Sequence, residues 1–340
     1  MGLFADINRD DVEAALRVAL GIGLPLLTFD ALGRLDLVVY AAFGGLAMLY
    51  GHGESTKRRV ESQMVAGTGL VVAIAAGMAY SAAQAPLTIL GFLLAITVIA
   101  AATLGAVMRW VPRGEMFFVL GLLIIASVPT TWDRLPLGIA VAAGGAALSV
   151  LFAWLNGIIA RRRQPGEEPD PEGWRRRLAA GYVALDRKQH LVLVAAATLG
   201  VMVAWVFALI LGVGNPYWAP ITVAALMPAL AATDVWRRTL YLMLGTAGGV
   251  GIATFLFSFH PGHLALILII IACQAMAEIA AKRNFGVALL FFSPLAIGMS
   301  NLSRGLPWDP LLVDRLAEAA IGTAVAFLTI LVGRKILKRS

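Results

Sequence analysis

Cysteine is almost missing from this sequence, and charge is scarce. The lone Cys273 sits inside an apolar run, which excludes an intrachain disulfide and leaves the redox compartment open. Charged residues are 14% of the 340 positions against 60% apolar ones, with a mean hydropathy of +0.84. Soluble domains average about 25% charged and about 45–50% apolar, so lipid is the solvent for most of this chain. No Gly-x-x-x-x-Gly-Lys, no His-Glu-x-x-His and no Ser/His/Asp grouping occurs. ATP-driven transport and hydrolysis of the soluble type lose support accordingly, and neither a cofactor nor catalysis is expected. His260 and His263 have a metal-like spacing without a third ligand on their short loop, so no metal is expected there. The first apolar run has no small-residue cleavage site behind it and reads as a first spanning helix, not a removable signal.

What is present is a series of apolar runs. They fall at 12–29, 37–50, 62–80, 85–108, 116–128 and 136–159, and again at 190–213, 217–232, 239–258, 262–281, 286–299 and 311–333. Unpaired backbone groups in hydrocarbon cost several kcal/mol each, and the runs are too evenly apolar for barrel strands, so they must be helices. The expected fold is an all-α polytopic membrane protein of about 12 transmembrane helices. Net charge of +7 does not indicate nucleic acid, because the basic residues sort by loop. With a cytoplasmic N-terminus, 22 of the 27 lysines and arginines fall on inward segments and only Arg34, Arg134 and Arg304 on outward ones; Arg17 and Arg315 lie inside helices. The positive-inside rule then places both termini in the cytoplasm of a cell or inner membrane.

The chain repeats itself. Tyr217 to Gly249, shifted back 178 positions without a gap, falls on Val39 to Val71, so that Tyr40 meets Trp218, Arg59 meets Arg237, and Gly67-Thr68 meets Gly245-Thr246. At a shift of 174, Arg109 falls on Arg283 and Phe117-Phe118 on Phe291-Phe292. The expected organisation is a six-helix repeat over 1–160, a basic cytoplasmic linker over 161–188 and a second six-helix repeat over 189–340. Six is even, so the repeats enter the membrane in the same direction and form a fused pseudo-dimer about an axis along the membrane normal. Within the linker, Trp174 to Leu185 could form a short amphipathic helix at the headgroup level; a solvated loop that fixes topology is the alternative.

Four runs are shorter than the roughly 20 residues that a bilayer core requires. They are Leu37–Tyr50, Met116–Val128, Tyr217–Ala232 and Gly286–Met299, the second and fifth of each half, and the last two carry Pro220, Pro228 and Pro294. Interrupted segments at matching places in two halves point to a substrate site.

Residues from about Leu191 to Met299 resemble the fusaric acid resistance and aromatic acid exporter family. The resemblance is carried by Tyr217-Trp218-Ala219, Arg237 and Arg238, the Gly245-Thr246 step with Gly248 and Gly249, and Arg283-Asn284-Phe285 through Ser293-Pro294-Leu295. The first half departs from it: Trp110 stands where Asn284 does, Tyr40 where Trp218 does, and no proline matches Pro294. The resemblance implies an efflux transporter for aromatic carboxylates. A similar six-helix unit, used as a dimer, forms the plant malate-conducting anion channels. Among the partners it implies, beyond the lipid bilayer and a small organic anion, are a periplasmic adaptor protein or a second copy of the chain.

The candidate chemistry follows. A guanidinium grips a carboxylate through two parallel hydrogen bonds, so the matched Arg59 and Arg237, with Arg238, Arg283, Tyr40 and Trp218, are the expected substrate-binding residues; lipid phosphate is the other partner such arginines take. Gly245 and Gly249 form a small-residue step for close helix packing or a flexible gate. Ionisable groups inside apolar runs usually face a cavity or a partner. Arg17, Asp314, Arg315, Glu318 and Glu278 are of this kind, the last either an i,i+4 partner of Lys282 or a proton relay. The expected function is a proton-coupled exporter of small, often aromatic, organic anions. A passive anion channel, a compact major-facilitator carrier and a membrane enzyme or assembly anchor are the alternatives.

Overall fold

The structure, a computed structural model, describes residues 9–338 apart from 52, 111–114, 164–172, 232–234, 282–284 and 306. Every regular element among them is helical. A first group comprises α1 (Arg9–Ala31), α2 (Val38–Gly45), α3 (Thr56–Ala82), α4 (Leu87–Met108), α5 (Met116–Ala126) and α6 (Leu135–Arg163). The linker contributes α7 (Trp174–Val183). A second group comprises α8 (Arg187–Ile210), α9 (Trp218–Leu226), α10 (Val235–Phe257), α11 (His263–Ala281), α12 (Phe285–Arg304) and α13 (Trp308–Lys338). Seven of these helices are long and apolar enough to cross a membrane: α3, α4, α6, α8, α10, α11 and α13. Apolar side chains remain exposed on their outer faces, among them Val72, Phe92, Leu199, Phe207 and Leu328. A soluble protein would bury such residues; here they form the surface offered to lipid.

The second helix of each group is short for the same local reason. α2 has 8 residues and gives way to a 3₁₀ turn at Leu46–Leu49; α9 has 9 and gives way to one at Met227–Ala231. Pro228 has no N–H to continue the α-helical ladder and sits where α9 ends. Pro220 lies in the first turn of α9, where an N–H would lack an intrahelical partner anyway, and interrupts nothing. α5 is also short, at 11 residues. In the second half the fifth helix outruns its short apolar stretch: α12 runs for 20 residues with Pro294 inside it. At about 1.5 Å per residue that is about 30 Å of helix, of which the apolar part, Gly286–Leu302, remains one of the shorter apolar stretches. Its polar tail, Ser300-Asn301 onward, continues the helix past the apolar run that ended the sequence estimate.

Helix ends repeat between the groups. α1 and α8 each close on a glycine in the left-handed region, Gly33 (φ 65°) and Gly212 (φ 66°). In each, the next residue's N–H reaches back five positions, Arg34 to the Phe29 carbonyl and Val213 to that of Ala208, which satisfies carbonyls that the helix end would otherwise leave open. α3 and α10 are followed by a left-handed residue that is not glycine, Gln84 (φ 46°) and His260 (φ 47°). His260 thus turns the chain beyond α10.

Within the first group α3 packs on α5 and α6, and α2 on α6; within the second α10 packs on α12 and α13, and α9 on α13. The groups are joined by α1 against α11 and by α4 against α8. The tightest approaches rely on glycine. A Cβ on Gly145 of α6 would lie 2.2 Å from the Ala41 carbonyl oxygen of α2, and one on Gly322 of α13 would lie 2.4 Å from that of Ala219 of α9. Gly245 and Gly249 do the same for α10 on α12, facing the carbonyls of Gly286 and Leu289 at 2.2 and 2.7 Å. Close helix packing is therefore what this pair of glycines provides.

The linker helix is clamped to the first group. Arg177 of α7 donates to the Glu54 carboxylate, to the Met108 carbonyl at 2.6 Å and to the Ser62 hydroxyl at 3.2 Å, while Ser62 donates to Glu54 at 2.7 Å. Gly181 lets α7 lie against the end of α4, where a Cβ would be 2.1 Å from the Val107 carbonyl oxygen. Amphipathic sequence produced the helix, but a half-buried ion pair positions it.

Candidate functional site: a ring-lined cavity between the helix groups

The short helices α2, α5 and α9 converge with α12 on a cavity of about 120 Å³. An engineered apolar cavity of about 150 Å³ holds one benzene molecule, so the space is of the order of a single aromatic ring. Phe43 of α2, Phe117 of α5, Trp218 of α9 and Phe292 of α12 contribute aromatic wall; Ile22, Ile221, Leu242 and Ile270 contribute aliphatic wall. Three polar side chains reach it: Thr222, Gln274 and Arg315. Thr222 donates to the Trp218 carbonyl at 2.9 Å. Gln274 of α11 is 2% exposed and its Nε2 makes no hydrogen bond.

Arg315 is the unusual member. It lies in the eighth position of α13, about 10 Å along the helix from its start, and is 7% exposed. Its guanidinium lies over the Trp218 ring, 4.6 Å from the centroid, while Nε and Nη1 have no hydrogen-bond partner. A cation–π contact is worth up to about 2 kcal/mol when desolvated and does not replace lost hydration. Glu318, one turn on, is buried and turned to the start of α9, where its Oε2 accepts the Ala219 N–H at 2.9 Å. That N–H belongs to the first turn, at the positive end of the helix. Asp314 faces the preceding loop, accepting from the Asn215 amide at 2.5 Å and the Gly214 N–H at 3.4 Å; Asn215 in turn accepts from the Tyr217 hydroxyl at 2.9 Å. Three successive polar contacts from α13 thus fix the start of α9.

Of the residues singled out from the sequence, Trp218 and Arg315 meet at the cavity. Tyr40 is buried beside α6, where a Cβ on Gly138 would be 3.6 Å from its Cζ. Arg59 instead ties the loop ahead of α3, with Nε donating to the Gly51 carbonyl at 3.3 Å and Nη2 to that of Glu54 at 3.2 Å. Arg237 is exposed on α10, stacked on Tyr241 at 5.2 Å with Nε donating to its hydroxyl at 2.9 Å. Arg283 lies outside the described residues, as do the side chains of Arg17 and Arg238. Glu278 follows Gln274 by one turn on α11 and is half-buried. Gln274 and the Arg177–Glu54 clamp were missed in the sequence. A solitary amide inside the apolar run around Cys273 was the available signal for the first, and nothing local marked the second.

An assembly of helices with apolar outer faces, no described strand and a cavity at its centre is a multi-pass membrane protein. Residues 203–329, from α8 into α13, match the family model described as fusaric acid resistance protein-like, so the resemblance read from the tyrosine, tryptophan and arginine motifs holds for the second group of helices. Among curated proteins the chain is similar to the uncharacterized membrane protein YvaC of Bacillus subtilis (strain 168), 28% identical over 148 residues, which is 42% of this chain and 24% of the relative. The aligned stretch thus spans about a quarter of that relative's length. No solved structure matches the chain.

Proposed function

We propose that this chain is an inner-membrane transporter, an exporter of small organic carboxylates with an aromatic or apolar body. The observation that carries the reading is the cavity itself, which lies between the two helix groups and is walled by the second and fifth helices of both. Its walls suit a ring and its one cation suits a carboxylate. The fusaric acid resistance-like segment supports the class of protein.

On this reading the chain is two parallel six-helix repeats around a central path, with both termini and the linker in the cytoplasm. The support is that several devices in the first group have counterparts in the second. α2 and α9 both end in 3₁₀ turns, Gly33 answers Gly212, Gln84 answers His260, and Gly145 on Ala41 answers Gly322 on Ala219. The contacts between groups obey the same exchange, since α1 on α11 becomes α8 on α4. The twelve expected spans are then the seven long helices with α1, α2, α5, α9 and α12. The matched Arg59 and Arg237 form, on this reading, a cationic inner vestibule that draws anions toward the cavity.

Counterflow in proteoliposomes against a panel of labelled acids tests the function. Saturable exchange of aromatic carboxylates, accelerated by an imposed proton gradient, is the expected result. Exchange that ignores the gradient would make the protein a passive channel, and no exchange above protein-free vesicles for any acid would overturn transport.

A further inference from the structure

Arg315 has no counterpart in the first helix group. Gly145 and Gly322 make the same backbone contact with α2 and α9 and stand 177 positions apart; 177 positions before Arg315 stands Gly138. The placement agrees with the structure, because Gly138 abuts Tyr40 as Arg315 lies over Trp218, and Tyr40 and Trp218 are themselves matched. A pathway with two similar halves therefore carries a cation on one side only.

From this asymmetry we propose that Arg315 and Gln274 form a single anion-binding site, specific for a monovalent carboxylate whose apolar ring occupies the wall formed by Phe43, Phe117 and Phe292. The proposal deepens the transport reading, from which it takes the occupant to be cargo. Three donors on residues lining one cavity lack partners: Nε and Nη1 of Arg315 and Nε2 of Gln274, none of them hydrogen-bonded and both side chains more than nine-tenths buried. A buried guanidinium with two unmade hydrogen bonds is costly, and a carboxylate placed on its Nε–Nη2 or Nη1–Nη2 edge satisfies one of them with a charge-assisted bond while pairing the charge. Glu318 does not fill that role in this structure: its Oε2 accepts the Ala219 N–H at the start of α9, and its Oε1 makes no hydrogen bond, to Arg315 or to any other group. A second negative charge on the ligand would find no cation among the other described wall residues and would be desolvated without compensation. A neutral isostere would leave the guanidinium unpaired. Selection is thus by charge number first and by ring fit second.

The test uses the purified full chain and radiolabelled benzoate in equilibrium dialysis, with benzoate exchange in proteoliposomes as a second readout. Unlabelled benzoate should displace the label, while neutral benzamide, dianionic terephthalate and ringless acetate should do so at least tenfold more weakly. This comparison needs no variant. Arg315→Gln should weaken benzoate binding by on the order of 10- to 100-fold, as expected for loss of charge-assisted hydrogen bonds, and Arg315→Lys should fall between, with monodispersity in detergent as the check on folding. Displacement by benzamide as good as by benzoate would overturn the site. So would an Arg315→Gln protein that binds and exchanges benzoate like the wild type, and transport itself would then stand. Benzoate binding that depends on Arg315, in vesicles that exchange no acid, would leave the site and remove its role in transport.

Discussion

Single residues in this protein are governed by what lies against them in the low-dielectric interior. Glu115, in the loop before α5, shows it outside the spans. It is 2% exposed, its Oε1 has no hydrogen-bond partner, and burial pushes its pKa up to about 7 from a model-compound value of 4.5. A raised folded-state pKa contributes stability that is complete below pH 4.5 and lost as pH rises through about 7. Thermal midpoints in detergent should therefore fall across that window for the wild type and fall less for Glu115→Gln; parallel pH profiles would show that the carboxyl is solvated. Arg237 tests the vestibule at the same scale. Its fork is exposed and stacked on Tyr241, so Lys retains charge but loses bidentate geometry and Gln loses both. If it guides carboxylates, transport should fall from wild type to Lys to Gln. A fully active Arg237→Gln protein would confine the arginine to topology.

Among elements, the glycine contacts and the linker clamp make separable predictions. Gly145→Ala and Gly322→Ala place a methyl group about 2 Å from a backbone carbonyl that cannot move without its helix, and each should cost about 1–3 kcal/mol in denaturation measurements. Gly144→Ala, with nothing within 4 Å, should be neutral or better. Arg177→Ala removes the bonds that hold α7 to Glu54, Ser62 and Met108. Losing about 1–2 kcal/mol of local stability should speed tryptic cleavage near α7 by on the order of tenfold, and unchanged cleavage would mean that packing through Gly181 alone suffices.

Much of this was legible in the sequence, for a reason that can be named. Hydropathy records contact with lipid directly, so the apolar runs emerge as helices near their expected limits, and proline at position 228 marks where α9 gives out. The end of α12 was not legible, because a helix that leaves the hydrocarbon keeps its backbone bonds while its side chains turn polar. Nor was the partnership of α13 with α9. Glu318 and Ala219 are 99 positions apart, and no local pattern tells an arginine in an apolar run that its neighbour is an indole. The internal match drew attention to Arg59 and Arg237 because they recur; Arg315 does not recur, and only its charge inside an apolar run marked it.

For the whole molecule, topology and pathway are the claims at stake. Cys273 is buried, so introduced cysteines report with little background. In intact cells Leu32→Cys, exposed in the turn after α1, should react with a membrane-impermeant thiol reagent, and Val183→Cys on α7 should resist it. The reverse pattern would invert the protein in the membrane. The central claim is that organic anions pass through the cavity between the helix groups, and Ala225 on its α9 wall offers the most direct measurement. In a Cys273→Ala background carrying Ala225→Cys, benzoate exchange by proteoliposomes is recorded before and after treatment with a bulky thiol reagent. The account predicts that exchange is lost on modification and that excess benzoate slows the loss. Undiminished exchange by a protein shown to be fully modified at Ala225→Cys would place the pathway elsewhere.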